Sequence, residues 1–221
     1  MPIRAMRVIA IDGPAGAGKS TIGKALAARL GLQYLDTGAM YRAVTFAAMS
    51  TDVSLQDTPA IGALARSVAL EVGDRGVFVD GIDATKAIRT PEVTGAVSVV
   101  AANSEVRAEL RERQRAWAAE RGGGVIEGRD IGSVVFPDAQ LKLYLTASPR
   151  TRAERRVAEA GGDVDEIEQA IADRDHYDSN RTDSPLVRAD GSIVVDTTGM
   201  GIDEVLAHIE ALMAGNGAEH A

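Results

Sequence analysis

The chain has 221 residues, 45% hydrophobic and 25% charged, with 24 basic and 32 acidic side chains giving a net charge of -8. That balance excludes a disordered chain and suits one large domain, or a core with an inserted subdomain; it argues against a nucleic-acid polymer as partner, since such binding neutralises phosphates along an extended backbone. With no cysteine there is no disulfide, thiolate metal site or thiol nucleophile, and the three histidines lack an H-x-x-x-H spacing, so a reducing cytoplasm is the expected setting and zinc is not signalled.

The opening "MPIRAMRVIAIDG" has a basic start but only a short apolar run, which predicts a strand and no signal peptide. No apolar stretch approaches the roughly 20 residues of a membrane span. "VIAIDGPAGAGKST", Val8 to Thr21, supplies a β-branched run, the glycine loop Gly13-Pro14-Ala15-Gly16-Ala17-Gly18-Lys19-Ser20-Thr21, then a helical pattern of Ile22, Ala25, Leu26, Arg29 and Leu30 ending at Gly31. This is a P-loop in its required strand and helix context. The glycines let the backbone turn its N–H groups onto phosphate oxygens at a helix N-terminus. Lys19 is expected to neutralise the β and γ phosphates of a nucleoside triphosphate, and the Ser20 hydroxyl to ligate Mg²⁺.

Further buried strands are predicted at "QYLD" (33–36), "GVIEG" (124–128), "LKLYLT" (141–146) and "SIVVDTT" (192–198), separated by helical segments. The fold class is therefore α/β, a parallel sheet covered by helices on both faces. "VALEVGDRGVFVDGIDAT" breaks this rhythm with period-two alternation around a turn, and predicts a small antiparallel β subdomain inserted over roughly 60–102. The terminal "AGNGAEHA" is expected to be a frayed tail, and no apolar surface helix signals assembly, so a monomer is expected.

Ligands in such sheets collect beyond the carboxyl ends of the strands. Four segments lie there or bring charge there. "LDTGAMYR" delivers Asp36, Thr37, Tyr41 and Arg42. "EGRDIG" places Arg129 and Asp130 between glycines. "SPRTRAERR" opens with Ser148 as N-cap and Pro149 at the first helical position, and carries Arg150, Arg152, Arg155 and Arg156. It reads as a short lid over 148–160, or as a solvated basic helix with Glu154 as partner. In "ADRDHYDSNR", Arg174, Asp178 and Arg181 stand at i, i+4 and i+7 on one predicted helical stripe; alone this is a solvated face, and His176 lies off it. In "SEVRAELRERQRAW", Ser104 is expected to cap a helix, and Arg107 either pairs with a Glu of its own helix or reads a ligand. Asp130 has the alternative of a turn residue paired with Arg129, and Ser98 that of a helix-surface hydroxyl.

A guanine-reading N-K-x-D motif is absent, as is an apolar strand closing on an Asp-Glu pair, which shifts the weight from GTPases and motor ATPases to small-molecule kinases. "IDGPAGAGKST", "LDTGAMYR", the inserted β region with "IRTPEV", "SVVAANSEVRAELRERQR", "EGRDIGSVVFPDA" and "RDHYDSNR" together resemble the bacterial cytidylate kinases, from about Val8 to Met213. The resemblance implies Mg²⁺-dependent transfer of the γ-phosphoryl group of ATP to CMP or dCMP. It places Thr37, Arg42 and Arg129 at the CMP phosphate, Ser98, Arg107 and Asp130 at cytosine, and Arg174, Asp178 and Arg181 near the sugar and phosphate. The phosphate nucleophile is already ionised, so no general base is required. Lys19, Arg129, Arg155 and Arg181 are the expected transition-state charges, with Arg152 or Arg156 near ATP. A kinase of another metabolite such as shikimate, and a module using ATP only as a conformational signal, are the rival readings.

Overall fold

The β-branched run before the glycine loop forms β1 (Arg7–Asp12) at the centre of a five-stranded parallel sheet in a computed structural model that describes residues 6–51 and 53–218. In chain order, α1 (Lys19–Leu30), β2 (Tyr34–Asp36), α2 (Thr37–Ser50), α3 (Thr58–Ser67), β3 (Leu70–Gly73), β4 (Gly76–Val79) and β5 (Ile82–Asp83) come first. They are followed by α4 (Pro91–Ala102), α5 (Ser104–Arg121), β6 (Gly123–Glu127), β7 (Leu141–Thr146), α6 (Pro149–Ala160), α7 (Val164–Asn180), β8 (Ile193–Asp196) and α8 (Ile202–Ala218). The large sheet has the order β2-β6-β1-β7-β8, and the topological switch falls at β1, whose carboxyl end carries the glycine loop.

Alternation along β1 assigns the two faces. Val8 and Ala10 join a cluster with Leu35, Ile126 and residues of α2, α3 and α5. Ile9 and Ile11 point the other way, into a cluster with Val125, Leu143, Leu145, Val195 and residues of α1 and α8. Burial on both faces is why these strands read as continuous apolar runs.

The predicted hairpin is the antiparallel sheet β3-β4-β5. Its second turn uses Asp80 at φ 49 and Gly81 at φ 79, the two left-handed residues that a tight hairpin prefers. Val77, Val79, Ala84 and Ile88 of this segment lie in the same core cluster as Val8 and Leu35, so the small sheet is welded to the parallel sheet through α2.

Three expectations are corrected. Asn103, one residue before Ser104, is the N-cap of α5: its side-chain oxygen accepts from the Glu105 and Val106 amides at 2.9 and 3.3 Å, and its amide donates to the Thr58 carbonyl at 2.9 Å. Asn103→Ala is expected to lower unfolding free energy by about 1–2 kcal/mol in urea titration, the loss of a cap plus a bond to α3. Helix α7 ends at Asn180, and Arg181 has extended backbone (φ -66, ψ 145), so the third residue of the predicted stripe lies outside the helix. The expected tail from 214 is helical to Ala218, while 219–221 lie outside the described residues.

Candidate active site

The glycine loop closes the carboxyl end of β1. Gly13 has φ 144, and a Cβ there would lie 2.0 Å from the Leu145 carbonyl of β7, so no side chain fits where the loop leaves the sheet. Gly18 is the left-handed N-cap of α1. The helix start has no side-chain cap and no acidic residue in its first turn, leaving its first amides available to an anion. Lys19 is folded back over the loop, its Nζ donating to the Gly13 and Pro14 carbonyls at 2.8 and 2.7 Å. Burial, then the charge of Arg129, holds its ammonium well below the usual lysine range.

Beside Lys19, the Ser20 hydroxyl donates to Glu127 Oε1 at 2.6 Å, while the other oxygen of Glu127 is buried without a partner. Burial raises the Glu127 carboxyl, and the Asp36 charge adds to this. Asp36 caps α2 by accepting from the Ala39 amide at 2.9 Å and binds Arg42 Nη2 at 2.8 Å. Thr37 donates its hydroxyl to the Glu127 carbonyl at 2.7 Å, which leaves that oxygen an acceptor in this arrangement.

Across the switch point, β6 ends in the turn carrying Arg129 and Asp130, followed by a single wide π-type turn, Ile131–Val135. Arg129 Nε donates to Asp178 Oδ2 at 3.1 Å. Asp130 is 4% exposed and forms an ion pair with Arg107, itself 1% exposed. Arg107 stacks over the Tyr41 ring at 5.5 Å and donates to the Ala101 carbonyl at 3.0 Å. Burial pushes the Tyr41 phenol up to about 12. Arg181 lies 3.9 Å from Asp130 and 3.8 Å from Asp178, and Arg174 lies 4.0 Å from Asp178. Arg107, Arg129, Arg174 and Arg181 thus converge on two carboxylates, Asp130 and Asp178. Burial lowers Arg174 to about 10, with Arg129 the next cause, and burial and Arg107 lower Arg181. Among the described residues the buried donors Arg42 Nε, Arg174 Nε and Arg181 Nη2 have no hydrogen-bond partner. The cluster is positively charged, crowded and short of acceptors, the condition for binding an anion.

The cytidylate kinase family model matches residues 9–214. The chain belongs to the cytidylate kinase family. It is 49% identical over 212 residues to a cytidylate kinase of Desulfitobacterium hafniense (strain Y51), covering 92% of this chain and 91% of that protein. A cytidylate kinase of Exiguobacterium sibiricum is 50% identical over 216 residues, covering 94% of this chain and 96% of the other. A shikimate kinase from Acinetobacter baumannii in complex with shikimate matches with a TM-score of 0.51 at 16% identity, covering 97% of this chain and 96% of that one, a likeness of fold alone.

Not every expected residue of this cytidylate kinase family member joins the cluster. Arg155 is held by Thr197, donating to its hydroxyl at 2.9 Å and its carbonyl at 2.7 Å, while remaining beside Gly18. Arg152 donates to the Ala147 and Ala15 carbonyls at 3.1 Å each and pairs with Asp175, so it locks α6 and α7 to the glycine loop. Arg156 is 45% exposed and pairs with Glu159 one turn on. Arg150 faces solvent with Asp165 and Glu168. Ser98 sits half-buried on α4. The alternatives for Arg107 and Asp130, a Glu of the same helix and the adjacent Arg129, are both replaced by their pairing with each other across 23 residues.

Glu127 and Thr197 escaped the sequence reading. The signal for Glu127 was an acid at the end of a predicted apolar strand. Thr197, whose hydroxyl donates to the Thr146 carbonyl at 3.0 Å with the Ala17 carbonyl at 3.3 Å, carried no signal beyond its place in the predicted strand 192–198.

Proposed function

We propose that the chain is a nucleoside monophosphate kinase that moves the γ-phosphoryl group of ATP onto CMP or dCMP, releasing ADP and CDP or dCDP, as a monomer in the cytoplasm. One observation carries the reading beyond family membership: four arginines converge on two carboxylates opposite the P-loop. The excess of two positive charges matches a phosphate dianion, and the buried Arg107–Asp130 pair beside it offers a donor and an acceptor to a base.

In this reading Gly13 to Thr21 hold ATP, with the loop amides and Lys19 on its phosphates. Thr37, Arg42 and Arg129 take the acceptor phosphate, Arg174 and Asp178 the sugar, Arg181 the phosphate, and Arg107, Asp130 and Ser98 the base. Cytosine presents an amino donor beside two acceptors, which a carboxylate and a guanidinium complement. Arginines on the acceptor and Lys19 on the donor bring two anions together, which is most of what phosphoryl transfer demands of a protein. The region 60–102 serves as the acceptor-side subdomain and 148–160 as the lid that excludes water, with Arg152 as its fastening to the Ala15 carbonyl.

Magnesium fits the donor side. The Ser20 hydroxyl and the unpartnered Glu127 oxygen are hard oxygen ligands beside the P-loop, and Asp36 adds negative charge. Among the described residues no group of three His, Cys, Asp or Glu forms a cage, as suits an ion held largely by phosphates and water. Bound with ATP, the ion supplies neutralisation of the β and γ oxygens.

Coupled ADP release measured with CMP, dCMP, UMP, AMP and shikimate tests the reading. CMP and dCMP are expected to drive turnover, with kcat/KM for UMP at least about tenfold lower, the effect of one unpaired buried polar contact, and shikimate at background. ADP release stimulated by shikimate, or not stimulated by CMP, overturns it.

A further inference from the structure

Asp12, the last residue of β1, is buried and belongs to neither the phosphate loop nor the arginine cluster. Its two carboxylate oxygens accept from the amides of Ile131 at 2.8 Å and Gly132 at 2.7 Å, 119 and 120 residues away. These are the first two amides of the π-type turn, whose later amides are satisfied from within: Val134 and Val135 donate to the Asp130 carbonyl at 2.9 and 3.2 Å. A helical turn leaves its first N–H groups without internal partners, and these two are capped by a carboxylate from a neighbouring strand.

The two ends of this link are held differently. Asp12 is held in register against β7, its Cα paired with Tyr144, the preceding Ile11 is paired with both β6 and β7, and Lys19 binds the next two carbonyls of the chain. The turn lies outside the strand ladder. Gly128 donates to the Ile11 carbonyl at 2.9 Å, Arg115 reaches the Val134 and Val135 carbonyls, and Asp130 and Arg129 are otherwise held by side chains across the cluster. Asp12 is thus the fixed point, and Arg129 and Asp130, immediately before the capped amides, are what it positions.

We infer that Asp12 is a positioning residue for the acceptor: its carboxylate cap on Ile131 and Gly132 fixes Arg129 and Asp130 relative to the glycine loop, and so sets donor phosphate, acceptor phosphate and base at one spacing. The inference rests on the proposed CMP kinase activity. Asp12 touches no reacting atom; it acts through the turn. Loosening the turn displaces the acceptor grip while the P-loop, held by the sheet and by Lys19, keeps its own geometry.

Asp12→Asn keeps side-chain volume and one acceptor oxygen but turns an amide N–H₂ towards the second backbone N–H. It is expected to raise KM for CMP by about tenfold to a hundredfold, the loss of one charge-assisted bond, with KM for ATP changed less than about twofold, and to lower kcat through misalignment. In the ligand-free protein, hydrogen exchange read by NMR is expected to show the Ile131 and Gly132 amides protected in the wild type and at least about tenfold less protected in the variant. KM values for ATP and CMP rising together, or neither moving, overturn the inference. So does a wild type in which these amides exchange as fast as an open loop, a measurement that stands even if the variant does not fold. A wild type without CMP turnover would instead remove the activity on which the inference rests.

Discussion

Lys19→Ala is expected to lower kcat for ADP release in the presence of CMP by about a hundredfold to a thousandfold, with the fold intact. The ammonium lies over the phosphate loop on the Gly13 and Pro14 carbonyls, with no carboxylate bonded to it. Triphosphate oxygens would replace these neutral carbonyls with full charges, and the stabilisation grows as charge moves to the β–γ bridge. Removing one preorganised donor of this kind costs about 3–4 kcal/mol in the transition state. The folded protein binds the Lys19 proton less tightly than the unfolded chain does, since burial and Arg129 lower its pKa from 10.5. The stability that the neutral amine contributes is therefore present above that value and is lost as pH falls towards neutrality. The alanine variant lacks this loss, so its Tm relative to the wild type is expected to rise as pH is lowered from 10 to 7. Near wild-type turnover would remove Lys19 from the chemistry, and a relative Tm that falls as pH is lowered from 10 to 7 would contradict the electrostatic account.

Local chemistry was legible in the sequence where a short stretch dictates it. The P-loop reads from its glycines because left-handed backbone and close approach leave few residues to choose from. The parallel strands read from β-branched runs because both faces are buried, as the alternation of Val8 and Ala10 against Ile9 and Ile11 shows. The Ser148 and Pro149 start of α6 was readable for the same local reason. Asn103 and Ser104 are both good caps, and only the placement of Thr58 in α3 decides between them. Arg181 keeps the spacing of a helical stripe after the helix has ended, because periodicity marks positions and does not mark a terminus. Partners distant in sequence were illegible from spacing alone, and only the family resemblance brought Arg107 and Asp130 to one place. Arg107 has Glu neighbours on its own helix, and nothing in its spacing announces Asp130; Asp12 reads as the end of a strand, and its target amides lie 119 residues on. Arg152 was expected near ATP and Arg155 as a transition-state charge because arginine near a phosphate loop invites those roles, and their bonds to the Ala15 and Thr197 carbonyls were not readable from spacing. The sequence locates the charges, and the tertiary fold decides which of them have partners.

Asp130→Asn is expected to cut kcat/KM for CMP by about a hundredfold and to bring the CMP to UMP ratio down by at least about tenfold. Asp130 is buried, and Arg107 and Arg181 are its cationic neighbours, with Arg107 so enclosed that water offers no substitute. Losing one charge from such a pair costs about 3–5 kcal/mol when the other is left unpaired. Asp183, 3.6 Å from Arg107 Nε, recovers part of that, so the variant is expected to fold with a lowered Tm. The selectivity change has a separate origin. A carboxylate only accepts, which suits the cytosine amino group and opposes the uracil carbonyl; an amide side chain can turn to donate or accept and no longer opposes either. Loss for CMP should therefore exceed loss for UMP. The ratio is taken on one enzyme preparation with two substrates, so it does not depend on the fraction folded, which cancels. An unchanged ratio, whatever the fall in each rate, would leave Asp130 with only its structural pairing to Arg107 and exclude it from reading the base.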